Sequence, residues 1–179
     1  MQTVAETVHE NPMRAIKLAK VTVHIGVGKS GEMLEKAKKI LTDLTGQKPC
    51  TKQAKMTIKE FGIREGEPVS CLTTLRGEKA TAFLKRGLEA VNNSIKQSSF
   101  DENGNFAFGI KEHIEIPGTK YQPELGIFGM DVVASLERPG YRVKRRRIRP
   151  SRIGKSHRVT CEDAIKFVTQ NFGVQIKEA

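Results

Sequence analysis

The residues with the clearest chemical consequence are the basic ones between positions 138 and 158. In the run RPGYRVKRRRIRPSRIGKSHR, ten Lys or Arg side chains occur with no Asp or Glu among them. The chain has 31 basic and 20 acidic residues, a net charge of +11, so outside this run it carries 21 against 20 and is close to neutral. Gly140, Pro150 and Gly154 interrupt the run and it has no apolar face, so it reads as a long connection that cannot bury itself. Such a run repels itself until anions neutralise it, and each phosphate bound releases condensed counterions. Arginine dominates it, and a guanidinium forks onto phosphate oxygens and stacks on bases, with Tyr141 able to stack among them. The partner implied is a polyphosphate, most simply a nucleic acid. A solvated charge run or an address read by import machinery would also fit. An anionic membrane fits less well, because no apolar face accompanies the charges.

A second candidate is Gly26-Val27-Gly28-Lys29-Ser30-Gly31, which spells G-x-G-x-x-G between a strand and a helix, the setting of a dinucleotide site. The match stops there. A dinucleotide fold continues into a buried parallel strand ending in an acid, and here the chain reads Gln47-Lys48-Pro49-Cys50-Thr51-Lys52. A phosphate loop built on Gly28-Lys29-Ser30 would need glycine where Val23 stands. The plain alternative is a tight strand-to-helix turn whose amides, with Lys29, could still hold an RNA phosphate. Catalytic groups are sparse: His24, His113 and His157 are isolated, and on a strand Glu112 would point away from His113 while Glu115 would only be its neighbour on one face. Cys50, Cys71 and Cys161 are odd in number and widely spaced, so neither a disulfide framework nor a zinc site is expected, and no cofactor. Reduced thiols suit a cytosolic protein.

The elements that would position these groups follow from the hydrophobic spacing. At 179 residues the chain suits one domain, which at this size can bury about 70% of its unfolded surface. Residues 1–13 read as a polar, mobile lead-in that is neither a signal nor a transit peptide, and no segment approaches the roughly 20 apolar residues of a membrane span. Residues 16–25 alternate as a strand buried on one face through Val21, Val23 and Ile25. A helix follows with Met33, Ala37, Ile40, Leu41 and Leu44 inward, Ser30 as N-cap and Gly46 as stop. Residues 47–66 read as an irregular hairpin or mobile loop. A second strand starts at Glu67-Pro68 with Val69, Cys71 and Leu75 on one face. The next helix buries Ala80, Phe83, Leu84, Leu88 and Val91, and Gly87 within it suits close packing on a sheet. A turn at Asn103-Gly104 leads to a strand through Ile110, His113, Ile114 and Ile116, and another spans residues 127–136. After the basic loop 138–158 the chain closes with a helix over residues 160–172, capped by Thr160 with Asp163, carrying Ala164, Ile165, Val168 and Phe172 inward. This order predicts an α+β domain: a mainly antiparallel sheet, helices on one face, and the other face free for a partner.

Six motifs then carry a resemblance. Gly26-Val27-Gly28, Thr45-Gly46-Gln47-Lys48-Pro49, Thr74-Leu75-Arg76-Gly77, Phe100-Asp101-Glu102-Asn103-Gly104-Asn105, Gly109-Ile110-Lys111-Glu112-His113 and Gly129-Met130-Asp131 occur in the order seen in the ribosomal protein L5 family. The resemblance covers residues 16–136, and the segment from Arg138 onward looks like the archaeal and eukaryotic branch. It implies a non-enzymatic constituent of the large subunit's central protuberance, in the cytoplasm, with 5S ribosomal RNA bound on the sheet. By motif position the ribosomal RNA contacts would be His24, Gln47 and Thr74, with Lys29 and Arg76 nearby. Bacterial members tend to carry Asn where His24 stands, and an imidazole lacks the paired groups of an amide. The segment with Lys52, Lys55, Lys59 and Arg64 resembles the family's loop that reaches peptidyl-site tRNA. The arm, through Arg142, Lys144, Arg145, Arg146, Arg147, Arg149, Arg152, Lys155 and Arg158, would add contacts to large-subunit RNA or tRNA, beside neighbouring ribosomal proteins.

Overall fold

A computed structural model describes residues 11–177. The lead-in expected over residues 1–13 therefore lies mostly outside the described residues. Its last part is ordered: Pro12–Arg14 form a 3-10 turn, with the Asn11 side chain accepting from the Met13 amide at 3.0 Å.

The alternating segment forms β1 (Lys17–Gly26), with Val21, Val23 and Ile25 wholly buried. The chain then turns into α1 (Glu32–Thr45). Gly31, at φ +107°, is its N-cap, and Ser30 is not: the Ser30 hydroxyl donates instead to Glu67 Oε1 at 2.6 Å. Met33 is exposed, and Leu34 is buried in its place beside Ala37, Ile40, Leu41 and Leu44. Gly46 ends the helix in the left-handed region, as its type requires there. The basic stretch after it contains a short strand, β2 (Cys50–Gln53), and then a hairpin closed by the Ile58 and Ile63 pair. β3 (Pro68–Leu75) and α2 (Glu78–Ala90) follow, with buried Gly87 of α2 packed against the Phe108 ring.

The remaining elements are β4 (Ser94–Lys96), β5 (Phe106–Ile110), β6 (Met130–Glu137), a single turn α3 (Arg142–Arg145), α4 (Cys161–Phe172) and β7 (Gln175–Lys177). The main sheet has the order β2-β3-β1-β6-β5 and is antiparallel at each of its four pairings. Alternate residues of its strands meet α1 and α2 in one core, which Ala164 and Val168 of α4 also join.

Two expectations need correcting. The strand through Ile110, His113, Ile114 and Ile116 ends at Ile110, and His113–Glu115 form a 3-10 turn. His113 is responsible: its Nδ1 accepts from the Phe128 amide at 3.3 Å and its own amide donates to Phe128 O at 2.9 Å, which folds the chain back toward β6. Glu112, His113 and Glu115 therefore do not share strand geometry. The second correction is an addition, since β4 and β7 form a two-stranded parallel pair, from Ser94 with Gln175 to Lys96 with Lys177, that ties the end of the described chain to the exit of α2.

Candidate nucleic-acid interface

β1 is flanked by β3 and β6, so its outward alternation sets the open face. Lys20, Thr22 and His24 lie on that side, between the inward Val21, Val23 and Ile25. Register extends two rows across the strands. Thr22 pairs with Thr74 on β3 and Val133 on β6, and Val133 with Ala107 on β5. His24 pairs with Leu72 and Asp131, which continue to Cys50 and Gly109. Apart from His24 and Leu72 these side chains are short or small, and they lie on the side of the sheet away from α1 and α2. The result is a flat platform on which an RNA backbone can lie while hydroxyls and an imidazole reach its edges.

The five expected ribosomal RNA contacts are not one cluster. His24 and Thr74 stand on neighbouring strands of the open face. Gln47 and Arg76 lie beyond the Thr74 end, because β2 runs antiparallel to β3 and residues before Cys50 head toward Leu75. Gln47 is half-buried, its amide held by Thr45 Oγ1 at 3.3 Å, and Arg76 Nη1 donates to Ala19 O at 3.5 Å. Lys29 is at the opposite end, past Gly26, exposed. His24 Nδ1 is 3.6 Å from Asp131 Oδ2, so the centre of the platform carries a carboxylate as well as an imidazole.

The glycine turn does not make a nucleotide site. Both neighbours of β1 are antiparallel, which removes the crevice between parallel strands that a dinucleotide needs. In the turn ahead of the helix, the amides of Val27 and Gly28 both donate to Val69 O at 3.0 and 2.9 Å. Glu32 and Glu35 occupy the first turn of α1 and oppose an anion there. Among the described residues no group of three or more His, Cys, Asp or Glu could hold a metal ion.

Two exposed basic extensions leave opposite ends of the sheet. At the Lys29 end is the hairpin between β2 and β3, with Lys52, Lys55, Lys59 and Arg64 all exposed. It is hydrogen-bonded rather than loose: Ile58 and Ile63 exchange bonds of 2.9 and 3.1 Å, and Glu67 accepts from both Ser30 and the Arg64 amide, contacts that hold its carboxyl below the ordinary value. It also carries Met56 and Phe61, 64% and 68% exposed, which a count of charges passes over. At the other end β6 runs into the arm. Lys20, also passed over, lies here on the open face, legible from the alternation that gave Thr22 and His24.

The arm, expected to be unable to bury itself, departs from that at its root. Arg138 Nη2 pairs with Asp163 Oδ2 at 2.8 Å, joining the start of the arm to the capping box of α4. His157 Nε2 lies 2.8 Å from Pro139 O, and the Tyr141 hydroxyl accepts from the Val159 amide at 2.9 Å and donates to His157 O at 3.4 Å. Tyr141 is thus a half-buried fastener, its ring held in place through the hydroxyl rather than swinging free. The nine cations from Arg142 to Arg158 named above are all exposed. Three of them also fold the arm: Arg145 bonds Glu137 at 2.8 Å, Arg146 bonds Arg149 O at 2.8 Å, and Arg158 bonds Ile153 O at 3.4 Å.

Comparison with known proteins matches residues 11–64 to the family described as ribosomal protein L5 and residues 68–167 to the C-terminus of that ribosomal family. The chain belongs to the ribosomal protein L5 family. It is 56% identical to the large ribosomal subunit protein uL5 of Sulfurisphaera tokodaii over 98% of this chain and 99% of that protein. The proteins of the same name from Sulfolobus acidocaldarius (52%; 98% and 99% covered) and Pyrobaculum aerophilum (54%; 93% of each) are similar to it throughout. These relatives are archaeal, in keeping with the branch to which the arm pointed. Membership in the L5 family makes the chain a ribosomal protein of the cytoplasm with a structural rather than a catalytic role. The two matched segments meet just before β3, yet β3 pairs with β1 and β2 from the first segment, so both build one sheet.

Proposed function

We propose that the chain is the constituent of the large ribosomal subunit that binds 5S ribosomal RNA in the central protuberance, acting as one RNA-binding domain. The observation that carries this is the bare sheet face with His24 and Thr74 at its centre, flanked by exposed cations at both ends. The platform supplies hydroxyl and imidazole contacts at fixed positions, and Gln47, Arg76 and Lys29 extend them at its two ends. The β2–β3 hairpin, with Lys52, Lys55, Lys59 and Arg64, reaches peptidyl-site tRNA. The arm neutralises phosphates of large-subunit RNA, positioning the protein without reading sequence.

The test is affinity for free 5S ribosomal RNA and for an unrelated structured RNA of equal length, each at low and near-physiological salt. A preference for 5S RNA that survives the higher salt is the expected result. Equal affinities that collapse together would mean that only the charge binds, and the sheet face would lose its role.

A further inference from the structure

Where the open face meets the arm there is a cavity of about 620 Å³, within the range of sites that enclose a small organic ligand. Lys20 and Ser135, opposite each other on β1 and β6, bring the platform to its edge. Its inner wall is apolar, with buried Leu136 and Val159 and half-buried Tyr141. Exposed Lys144, Arg152 and Arg158 surround its mouth. The carboxylate on its lining, Glu137, is already paired with Arg145 at 2.8 Å. Asn103 and Asn105 also line it, and the side-chain nitrogens of both donate to Asp101 Oδ2 at 3.3 Å. A carboxylate only accepts, so those bonds fix the amide orientation and leave two carbonyl oxygens as acceptors.

An apolar wall with an aromatic ring, fixed amide acceptors and a cationic mouth match the parts of one nucleotide: a planar base, its N–H edge and its phosphate. An RNA lying on the platform reaches the mouth without leaving the surface. We propose that this cavity receives a single nucleotide extruded from the bound RNA, base against Tyr141 and phosphate among Lys144, Arg152 and Arg158. This deepens the RNA-binding reading and rests on it.

The test uses the whole chain and two RNA hairpins of equal length, one fully paired and one with a single-nucleotide bulge, with AMP alone as a third probe. The bulged hairpin should bind more tightly by at least about fivefold, the low end of what stacking one base gains. Ser151→Trp fills the cavity and leaves every cation in place, since Ser151 lines it and contributes its backbone amide to Val143 O at 3.1 Å. It should erase the preference and leave paired-hairpin affinity unchanged. Independently of folding in that variant, 4-thiouridine at the bulge should crosslink the wild-type peptide containing Tyr141. Equal binding of both hairpins, or a crosslink only elsewhere, overturns the pocket and leaves the ribosomal reading standing. Tighter binding of AMP than of the bulged hairpin reassigns the site to a free nucleotide and overturns the proposal. Failure to bind any RNA overturns both readings.

Discussion

The open sheet face and the arm border one cavity, yet they differ in almost every property that matters for binding. The face is set by register, each residue fixed by its pairing with the next strand, and its few charges are of both signs, Lys20 and Asp131 among them. The arm is strongly charged, has only short turns of regular structure, and is held by the fastening at its root and a few bonds along its length. Uniform charge attracts any polyphosphate and weakens with salt, whereas fixed short side chains discriminate between shapes. On the function proposed above, adhesion and selectivity fall to different parts of one molecule, and each can be altered alone.

The largest effect should come from the arm. Changing Arg147, Arg149 and Arg152 together to Ala removes three exposed cations whose guanidinium groups make no hydrogen bond or ion pair within the described residues. Affinity should fall for every RNA, and the slope of log affinity against log salt should drop by about 0.7 to 0.9 for each phosphate no longer neutralised, with thermal stability unchanged. An unaltered slope in a salt titration would remove the arm from the interface.

Gly104→Ala should break the arm's support instead. Gly104 has a φ of +76°, and a Cβ there would collide with Val159, which lies at the returning end of the arm. A loss of about 1–3 kcal/mol in urea unfolding is expected, from positive φ and overlap together. Faster protease cleavage within residues 138–158 should accompany it.

On the other side of the comparison, Thr74→Ala and Gln47→Ala should each weaken 5S RNA selectively, by about 1 kcal/mol for one hydrogen bond, or roughly fivefold. Equal loss on an unrelated RNA would show that the face does not discriminate. Thr74 is exposed, so its variant should unfold within about 0.5 kcal/mol of wild type.

The smallest effect is a pH dependence that belongs to neither region. Burial lowers the pKa of His113 below its ordinary 6.5, so the unfolded chain takes up a proton there before the folded one does. Its contribution to stability is complete above about pH 6.5 and is lost as the pH falls through that value toward the lower folded pKa. Denaturation midpoints measured from about pH 7.5 to 5 should decline less in His113→Phe than in the wild type.

What could be read from the chain alone follows the same division. β1, α1, α2 and α4 declare themselves because burial on one face imposes a period, and the capping box at Thr160 and the stop at Gly46 are local chemistry. The open face could be placed once β1 was placed, since outward residues are the alternates of inward ones. Errors arose where a distant partner decided the outcome. Ile110, His113, Ile114 and Ile116 look like a strand until the Phe128 amide claims the His113 ring. Ser30 looks like an N-cap until Glu67 takes its hydroxyl. Charge revealed the arm but not its fastening, because Asp163 reads as a cap partner and gives no sign of Arg138. β4 and β7 are three residues each and have no period to detect.

The position of β1 between β3 and β6 also governs the order in which the molecule can be made. Lys17 pairs with Glu137, and Val21 lies between Leu75 and Ala134. A nascent chain released only as far as α2 therefore has the central strand of its sheet open along one edge, with β6 not yet in place to cover it. Such an edge invites pairing with another chain. Completion of β6 closes it, and the arm, whose root needs Asp163 and Val159, is assembled after that. The cations of the arm are thus presented in their final arrangement only by a chain whose sheet is already closed.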